Sequence, residues 1–418
     1  MTKRLGNLHK ILFSLLILLL PVQLGKHFWP SWAMVNGLRI DYLSPALYLT
    51  DILIVGILVS WVVNLATSPQ RVRSSIFLFS FFFIFLFLNC FLAQNQPAAF
   101  YKLIKILEFS LLGLYVVKNF LVSKYLSILI SVPIIYSSLL AIAQFINQGS
   151  LGGVFYWLGE RTFDAGTPGI ALADFNGQLV LRSYATFPHP NVLAGFLVIN
   201  LLWLIFPRRP QGEFIGKTIY WLAIVLGVVA LFLTFSHVAW AVFAVVILFK
   251  FLKSPRLPKL LKAIIVVVSL STFYYLLTTF PVQSESFFQR QDLNIAAVNM
   301  IRSSPLLGVG LNNFLIELPK YYSGSGQIRL LQPVHNIFLL AAAEAGIIIF
   351  IIIIIFIALT IRRLILTTLI VVLVLGLFDH YFLTLQSGQI LLTLVLGLSW
   401  CKINSCPPKP LPTIPSPK

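Results

Sequence analysis

The sequence predicts an all-α membrane protein that crosses the bilayer about twelve times, and three observations support this fold class. Hydrophobic residues make up 59% of the 418 positions and charged residues only 10%, which leaves too little polar surface to cover a water-soluble globule. Apolar runs of about 20 residues, the length that crosses a hydrocarbon core, recur along the chain. The 30 Lys and Arg residues fall in short clusters between these runs, whereas a nucleic-acid-binding domain gathers them on one soluble face.

The predicted spans follow from this length criterion. They cover residues 8–25, 44–66, 74–93, 99–119, 125–146, 190–207, 218–235, 237–252, 262–280, 335–360, 364–383 and 387–401. The stretch from Thr218 to Lys250 is too long for one crossing at about 1.5 Å per residue, so we predict two spans that bend near Ser236. With both termini in the cytoplasm, 20 of the 30 Lys and Arg lie in cytoplasmic segments. This distribution agrees with the positive-inside rule and predicts an inner-membrane protein.

These spans divide the chain into six segments. Spans one to five occupy 1–146, an outer loop follows at 147–189, spans six to nine occupy 190–280, a second outer loop follows at 281–334, spans ten to twelve occupy 335–401, and a Pro-rich cytoplasmic tail covers 402–418. Gly and Pro residues punctuate the first loop, which indicates turns and irregular chain. The second loop is predicted to begin with an amphipathic helix, because its apolar side chains share one face. They are Leu293, Ala296, Ala297, Met300 and Ile301.

Ionisable side chains inside the predicted spans lie almost entirely near the outer ends. They are Asp51, Lys102, Lys105, Glu108, Glu344, Asp379 and His380. Because such groups are costly in a bilayer, they mark cavities or pathways, and an ion pathway would place them through the full thickness. The sequence therefore predicts an outward-facing polar bowl over an apolar floor. Lys102 and Lys105 either bind substrate there or extend to the membrane interface, and Lys105 is also placed to pair with Glu108 three residues later.

Two sequence strings contain the residues best suited to chemistry in this bowl. The first, RSYATFPHPN, runs from Arg182 into the sixth span. An arginine at the mouth of a cavity either binds a phosphate or diphosphate through two parallel hydrogen bonds or serves as an interfacial anchor. His189, in the same string, is either a binding residue or a structural part of a rigid turn. The second string contains Arg302 and reaches the start of the tenth span at His335 and Asn336.

Over residues 147–400 the chain resembles the bacterial O-antigen ligase and polymerase family of integral membrane enzymes. The resemblance rests on three segments in the family's order: ATFPHPNVLAGFL, SPLLGVGLNNF and HNIFLLAAAEAG. It implies transfer of a glycan from an undecaprenyl-diphosphate donor to an acceptor hydroxyl on the outer face of the inner membrane, without a metal or other cofactor. It also implies that Arg182 holds the donor diphosphate, that His335 is the catalytic histidine and that Asn336 occupies the polar position after it.

The implied chemistry fits these residue types, although the chain departs from the family at two positions. A histidine with an ordinary pKa of about 6.5 can accept the proton of the attacking hydroxyl, and an arginine can stabilise the departing diphosphate. Where the family commonly has Ser-Arg, this chain has Ser236 and His237, so the second basic group is either His237 or Arg302. After Gly346, where the family has another small residue, the chain continues with isoleucine.

Two other classes of function stay open at the level of sequence. One is a transporter or flippase for a lipid-linked saccharide, which is expected to show polar residues through the inner halves of the spans or paired broken helices in a two-fold repeat. The other is a non-catalytic membrane subunit of a polysaccharide assembly complex, in which the polar groups only stabilise helix packing. The sequence also leaves open whether an enzyme of this kind acts as a ligase or a polymerase, and whether its acceptor is a lipid, a glycan or a protein.

Overall fold

The computed structural model describes most of the chain. It covers residues 7–67, 76–119, 126–175, 177–206, 214–255, 258–264, 266–267, 271, 284–322, 332–361 and 366–401. The predicted ninth span, at 262–280, lies largely outside the described residues, and the Pro-rich tail at 402–418 lies wholly outside them.

Helices dominate the described residues. They are α1 (Leu8–Leu18), α2 (Leu49–Thr67), α3 (Ile76–Leu92), α4 (Gln96–Asn119), α5 (Leu126–Asn147), α6 (Pro190–Ile205), α7 (Phe214–Leu233), α8 (His237–Leu252), α9 (Ser284–Ser303), α10 (Phe314–Tyr321), α11 (Ile337–Ile361), α12 (Leu366–Gly376), α13 (Tyr381–Thr384) and α14 (Gln386–Trp400). Their apolar composition and length fit an all-α membrane protein.

Three helices are long and apolar enough, by length and composition, to cross a membrane. They lie at Leu126–Asn147, Gly216–Leu233 and Ile337–Thr360, and shorter apolar helices accompany them within the described part of the chain. The total of twelve spans stays a prediction. The bend expected near Ser236 is present, since α7 ends at Leu233 and α8 begins at His237 with Ser236 at its N-cap.

Strands occur as short antiparallel pairs in the connections between helices. Between α1 and α2, β1 (Gly25–His27) pairs with β4 (Ala46–Tyr48), and β2 (Met34–Val35) pairs with β3 (Leu38–Arg39). We call residues 25–48 the first connecting segment. Between α5 and α6, β5 (Leu172–Phe175) pairs with β6 (Gln178–Leu181) in the register Leu172 to Leu181. These pairs fold two of the helix connections over the same end of the bundle.

The helix α6 lies at the centre of the bundle. Most of its side chains are buried, including Leu193, Phe196 and Leu197, and its neighbours are α5, α7, α8, α12 and α14. A helix that is apolar on all sides lies in a protein core or in the hydrocarbon of a membrane, and α6 is enclosed by other helices. The central position of α6 places its N-terminus, which the RSYATFPHPN string precedes, in the middle of one end of the bundle.

The amphipathic helix expected in the second loop is α9, and its predicted face is the buried one. Leu293, Ala296, Ala297 and Met300 are each at most 1% exposed. They pack with residues of α10 and α11, such as Phe314 and Leu340, in a core cluster separate from the one around α6. The apolar face of α9 is therefore covered by protein, which fixes this helix against the start of α11.

Candidate functional site

Four segments that are distant in sequence meet at the N-terminal end of α6. They are the string before α6, the helix α9, the residues before α11 and the turn between α12 and α13. Arg182 donates from Nη2 to Asn191 Oδ1 at 2.7 Å, and Asn191 Nδ2 donates to Asp379 Oδ2 at 2.9 Å. The negative charge of Asp379 interacts electrostatically with His335. We call the group of Arg182, His189, Asn191, Arg290, His335, Asp379 and His380 the polar cluster.

Arg182 is half-buried and is held by neutral oxygens. Its Nε donates to Thr234 O at 2.8 Å, in the turn between α7 and α8, in addition to the bond to Asn191. Desolvation lowers the pKa of Arg182 to about 10, so the guanidinium remains cationic at neutral pH. Two of its five N–H groups are used in these contacts, and a guanidinium has three more to offer a ligand.

His189 caps the N-terminus of α6. Its Nδ1 accepts a hydrogen bond from Asn191 N at 3.1 Å, and Pro190 occupies the first position of the helix, where its missing N–H costs nothing. Desolvation and then the charge of Arg182 lower the pKa of His189 to about 3. The ring is therefore neutral at neutral pH, as its accepting Nδ1 requires, and it fixes the position of Asn191.

His335 lies directly before α11, and Asn336 caps that helix. Asn336 Oδ1 accepts from Phe338 N at 2.9 Å and from Leu339 N at 3.1 Å. The His335 ring packs on His380 with centroids 5.1 Å apart, and its Nδ1 is buried with no hydrogen-bond partner among the described residues. Because the cap fixes the start of α11, it also fixes where the imidazole of His335 points.

The turn between α12 and α13 supplies Asp379 and His380. Asp379 Oδ1 accepts from His380 N at 2.8 Å, and His380 Nδ1 contacts Thr384 Oγ1 at 2.7 Å. The turn can lie against α6 because Gly195 has no side chain, since a Cβ there would be only 2.0 Å from the Tyr381 hydroxyl oxygen. This close approach brings Asp379 within reach of Asn191.

Arg290 belongs to the polar cluster although sequence reasoning did not select it. Its positive charge interacts electrostatically with Arg182, His189 and His335. Its Nη1 lies 3.5 Å from Phe378 O, and its Nε is buried without a partner in the described part of the chain. One sequence signal could have identified it. Arg290 lies three residues before Leu293, and residues at this spacing share a face of a helix, here the face of α9 that packs against the protein.

The first connecting segment also reaches the polar cluster. The ring of Tyr42 packs edge-on against His380, with centroids 5.3 Å apart and planes at 81°. Tyr42 O accepts a hydrogen bond from Asn312 Nδ2 at 3.2 Å, which holds the segment in place. The sequence had given no reason to connect residues 25–48 with the chemistry.

Two predicted substrate-binding lysines lie below the cluster, on α4. Lys105 Nζ is 2.7 Å from both Asp51 Oδ1 and Glu108 Oε2, so the pairing of Lys105 with Glu108 is present and Asp51 joins it. Lys102 Nζ donates to Leu383 O, and its charge acts on His380. Lys105 is therefore neutralised in a buried ionic network, whereas Lys102 lies closer to the polar cluster.

The two candidates for a second basic group lie in different places. His237 begins α8 and packs on Trp240 at 5.3 Å between centroids, and the charge of Arg182 acts on it. Arg302 is exposed on α9 and borders a surface groove with Val298 and Asn299. It is twelve residues beyond Arg290, which is roughly 18 Å along a helix. The structure brings His237 toward Arg182 and leaves Arg302 apart.

The electrostatics of the polar cluster favour an anionic ligand. Within the ranges that the structure describes, neither Arg182 nor Arg290 has a carboxylate within 4.0 Å. The N-termini of α6, α8 and α11 all lie at this end of the bundle, and the dipole of a helix makes its N-terminus favourable for negative charge. Among the described residues, no group of three or more His, Cys, Asp or Glu is arranged to hold a metal ion.

Comparison with known proteins finds one similar family. A family model described as O-antigen ligase matches residues 222–354, from α7 into α11. The match includes Arg290, His335 and Asn336. No curated protein matches the chain. The family is one of membrane enzymes that transfer glycosyl groups in polysaccharide biosynthesis. The match supports the resemblance that the sequence strings indicate, because residues 222–354 are similar to the O-antigen ligase family.

Proposed function

We propose that the chain transfers a glycan from an undecaprenyl-diphosphate carrier to an acceptor hydroxyl on the outer face of the bacterial inner membrane. One observation carries the proposal. Within the described residues, two arginines with no carboxylate within 4.0 Å lie in the same cluster as a histidine whose Nδ1 has no hydrogen-bond partner. Both features lie in one cluster at one end of the helix bundle. The proposal covers a ligase and a polymerase alike, because both use this donor chemistry.

Arg182 and Arg290 bind the diphosphate in this proposal. Phosphate oxygens accept two parallel hydrogen bonds from one guanidinium, and each charge-assisted bond is stronger than a neutral one. The unused N–H groups of Arg182 and the unpartnered Nε of Arg290 are the donors. When the bond between the sugar and the diphosphate breaks, its electron pair passes to the diphosphate oxygen, and the two cations stabilise that charge. The arginines thus supply the positive charge that a metal ion supplies in other transferases.

His335 acts as the general base. The acceptor oxygen attacks the anomeric carbon, the bond from that carbon to the diphosphate oxygen breaks, and the hydroxyl proton passes to the imidazole. Asp379 stabilises the imidazolium that forms, because its negative charge acts on His335. Attack from the side opposite the leaving group inverts the anomeric configuration. The proton then leaves to the solvent, which restores the neutral ring for the next cycle.

The test is product analysis with purified protein in proteoliposomes. A defined undecaprenyl-diphosphate glycan is supplied with a set of lipid, glycan and protein acceptors in the presence of EDTA, and the products are identified by mass spectrometry. We expect a glycan–acceptor conjugate of inverted configuration together with free undecaprenyl diphosphate. Movement of the donor across the bilayer without a covalent product contradicts the proposal and supports a transporter. Neither product nor movement, in protein that is folded, supports a non-catalytic subunit.

A further inference from the structure

The helix α11, which follows His335, is broken nine residues after it begins. Gly346 has φ 77° and ψ 174°, so the helical hydrogen bonds stop at Ala345. A helix end leaves carbonyl groups without partners, and in a bilayer each such group costs several kcal/mol unless protein satisfies it. The first part of α11, Ile337 to Ala345, is therefore a separate half-helix with a carbonyl end that needs partners. His335 lies at its opposite end, roughly 14 Å away at 1.5 Å per residue.

A loop from the second string supplies these partners. We call residues 305–311 the docked loop. Val309 N donates to Ala343 O at 2.8 Å, and Gly310 N donates to Glu344 O at 3.0 Å. On the far side of the break, Ile347 N donates to Pro305 O at 2.9 Å. The SPLLGVG and HNIFLLAAAEAG segments are thus two halves of one hydrogen-bonded unit.

A single side chain from α3 joins the docked loop to the half-helix. Asn89 is 0% exposed, and its Nδ2 donates to Leu307 O at 2.6 Å and to Glu344 O at 3.0 Å. Its Oδ1 accepts from Leu311 N at 2.8 Å. A carboxamide has two N–H donors and one carbonyl oxygen, so all its groups are used. Asn89 lies outside the matched region 222–354 and far in sequence from every residue of the polar cluster.

We propose that Asn89 is a positioning residue for the transfer reaction, which acts by holding the half-helix that carries His335. This inference rests on the proposed function, because it takes His335 as the base. The hydrogen-bond partners of Asn89 in the described residues are Leu307, Glu344 and Leu311, none of which belongs to the polar cluster. Asn89 fixes the C-terminal end of the half-helix while Asn336 fixes the N-terminal end. Loss of the carboxamide removes the bond from Asn89 to Leu307 O and leaves Glu344 O with the bond from Gly310 N alone, so the end of the half-helix is held less firmly and shifts.

We expect substitution of Asn89 to slow the chemical step and to leave donor binding unchanged. A displacement of about 1 Å in a catalytic group can reduce the rate about 100-fold. Arg182 is held by Thr234 and Asn191, neither of which contacts Asn89 or the docked loop. The half-helix can therefore move while Arg182, one of the two arginines proposed to bind the donor, keeps its hydrogen bonds. A general structural defect would instead weaken binding and rate together.

The test compares Asn89→Leu with a matched variant, Asn200→Ala, in the transfer assay. Asn200 is also a buried asparagine, but among the described residues its Nδ2 donates within α6 alone, to Phe196 O at 2.8 Å. We expect Asn89→Leu to lower kcat about 10- to 100-fold with an unchanged donor Kd, whereas Asn200→Ala keeps the wild-type kcat. Asn89→Gln, which retains the carboxamide on a longer arm, is expected to recover part of the lost kcat.

If Asn89→Leu does not fold, Asn89→Asp carries the test, because it keeps the volume and the oxygen for Leu311 N but loses both donated bonds. A wild-type kcat in either folded variant overturns the inference, and so does an equal loss of kcat and donor affinity. The variant His335→Ala distinguishes a failure of the proposed function from a failure of the role proposed for Asn89. If that variant is active, the proposed function fails; if it is inactive while the Asn89 variants transfer normally, only the role of Asn89 fails.

Discussion

Replacing His335 with alanine is expected to reduce glycan transfer by a factor of about 10² to 10⁴, the range that a positioned general base contributes. The substitution removes an imidazole whose Nδ1 has no hydrogen-bond partner among the described residues and whose ring lies beside His380. Donor affinity is expected to remain, because Arg182 and Arg290 are unchanged. The measurement is the initial rate of transfer in proteoliposomes with donor concentration varied, so that kcat and KM are obtained separately.

His27→Ala provides the matched control for this prediction. His27 lies in β1, where its Nδ1 contacts Ser44 Oγ at 3.1 Å and its Nε2 contacts the Tyr48 hydroxyl at 3.2 Å. His27 belongs to the first connecting segment, between α1 and α2, and is not part of the polar cluster. We expect it to retain the wild-type kcat. A folded His335→Ala protein that transfers glycan at the wild-type rate would exclude His335 as the base.

The Gly346→Ala substitution is expected to have the largest effect on the stability of the fold. The backbone at φ 77° and ψ 174° is essentially restricted to glycine and costs about 1–3 kcal/mol for another residue. A Cβ at this position would also lie 2.3 Å from Leu306 O and 2.6 Å from Leu307 N, both backbone atoms of the docked loop. Overpacking of this kind adds about 1–3 kcal/mol. We therefore expect a loss of about 2–6 kcal/mol in the free energy of unfolding.

Unfolding in mixed detergent micelles measures this loss, and Gly216→Ala is the control. Gly216 lies within α7, and a Cβ built there has no atom within 4 Å. Alanine is the better helix former by about 1 kcal/mol, so that variant is expected to be as stable as the wild type or slightly more stable. Equal stability of the two variants would show that the break in α11 does not depend on glycine. It would also remove the basis for treating Ile337 to Ala345 as a separately held element.

Local pattern was sufficient to predict several features of the fold. The length of the apolar run from Thr218 to Lys250 predicts the break near Ser236, because one helix of that length exceeds the membrane. The i, i+3 spacing predicts the pairing of Lys105 with Glu108. The apolar face of α9 is the buried one, as its periodicity indicates. Each of these depends only on residues close together in the sequence.

The parts of the candidate site that depend on distant residues could not be predicted in this way. Asn191 and Asp379 are 188 positions apart and meet because Gly195 lets Tyr381 approach α6. The place of Arg290 in the polar cluster depends on how α9 packs against α11, and local pattern does not show that packing. Asn89 gave no local signal, since its three bonds reach the docked loop and the half-helix, more than 200 residues away.

The most direct test of the polar cluster is the affinity of the purified protein, in lipid nanodiscs, for an undecaprenyl-diphosphate-linked glycan. Arg182→Ala and Arg290→Ala each remove charged hydrogen bonds worth about 1.5–3 kcal/mol, so each is expected to raise the Kd about 10- to 100-fold. Arg302→Ala removes the same charge from the exposed face of α9 and is expected to leave the Kd unchanged. Equal affinities for the wild type and all three variants would contradict the account, because the diphosphate would then bind somewhere other than between Arg182 and Arg290.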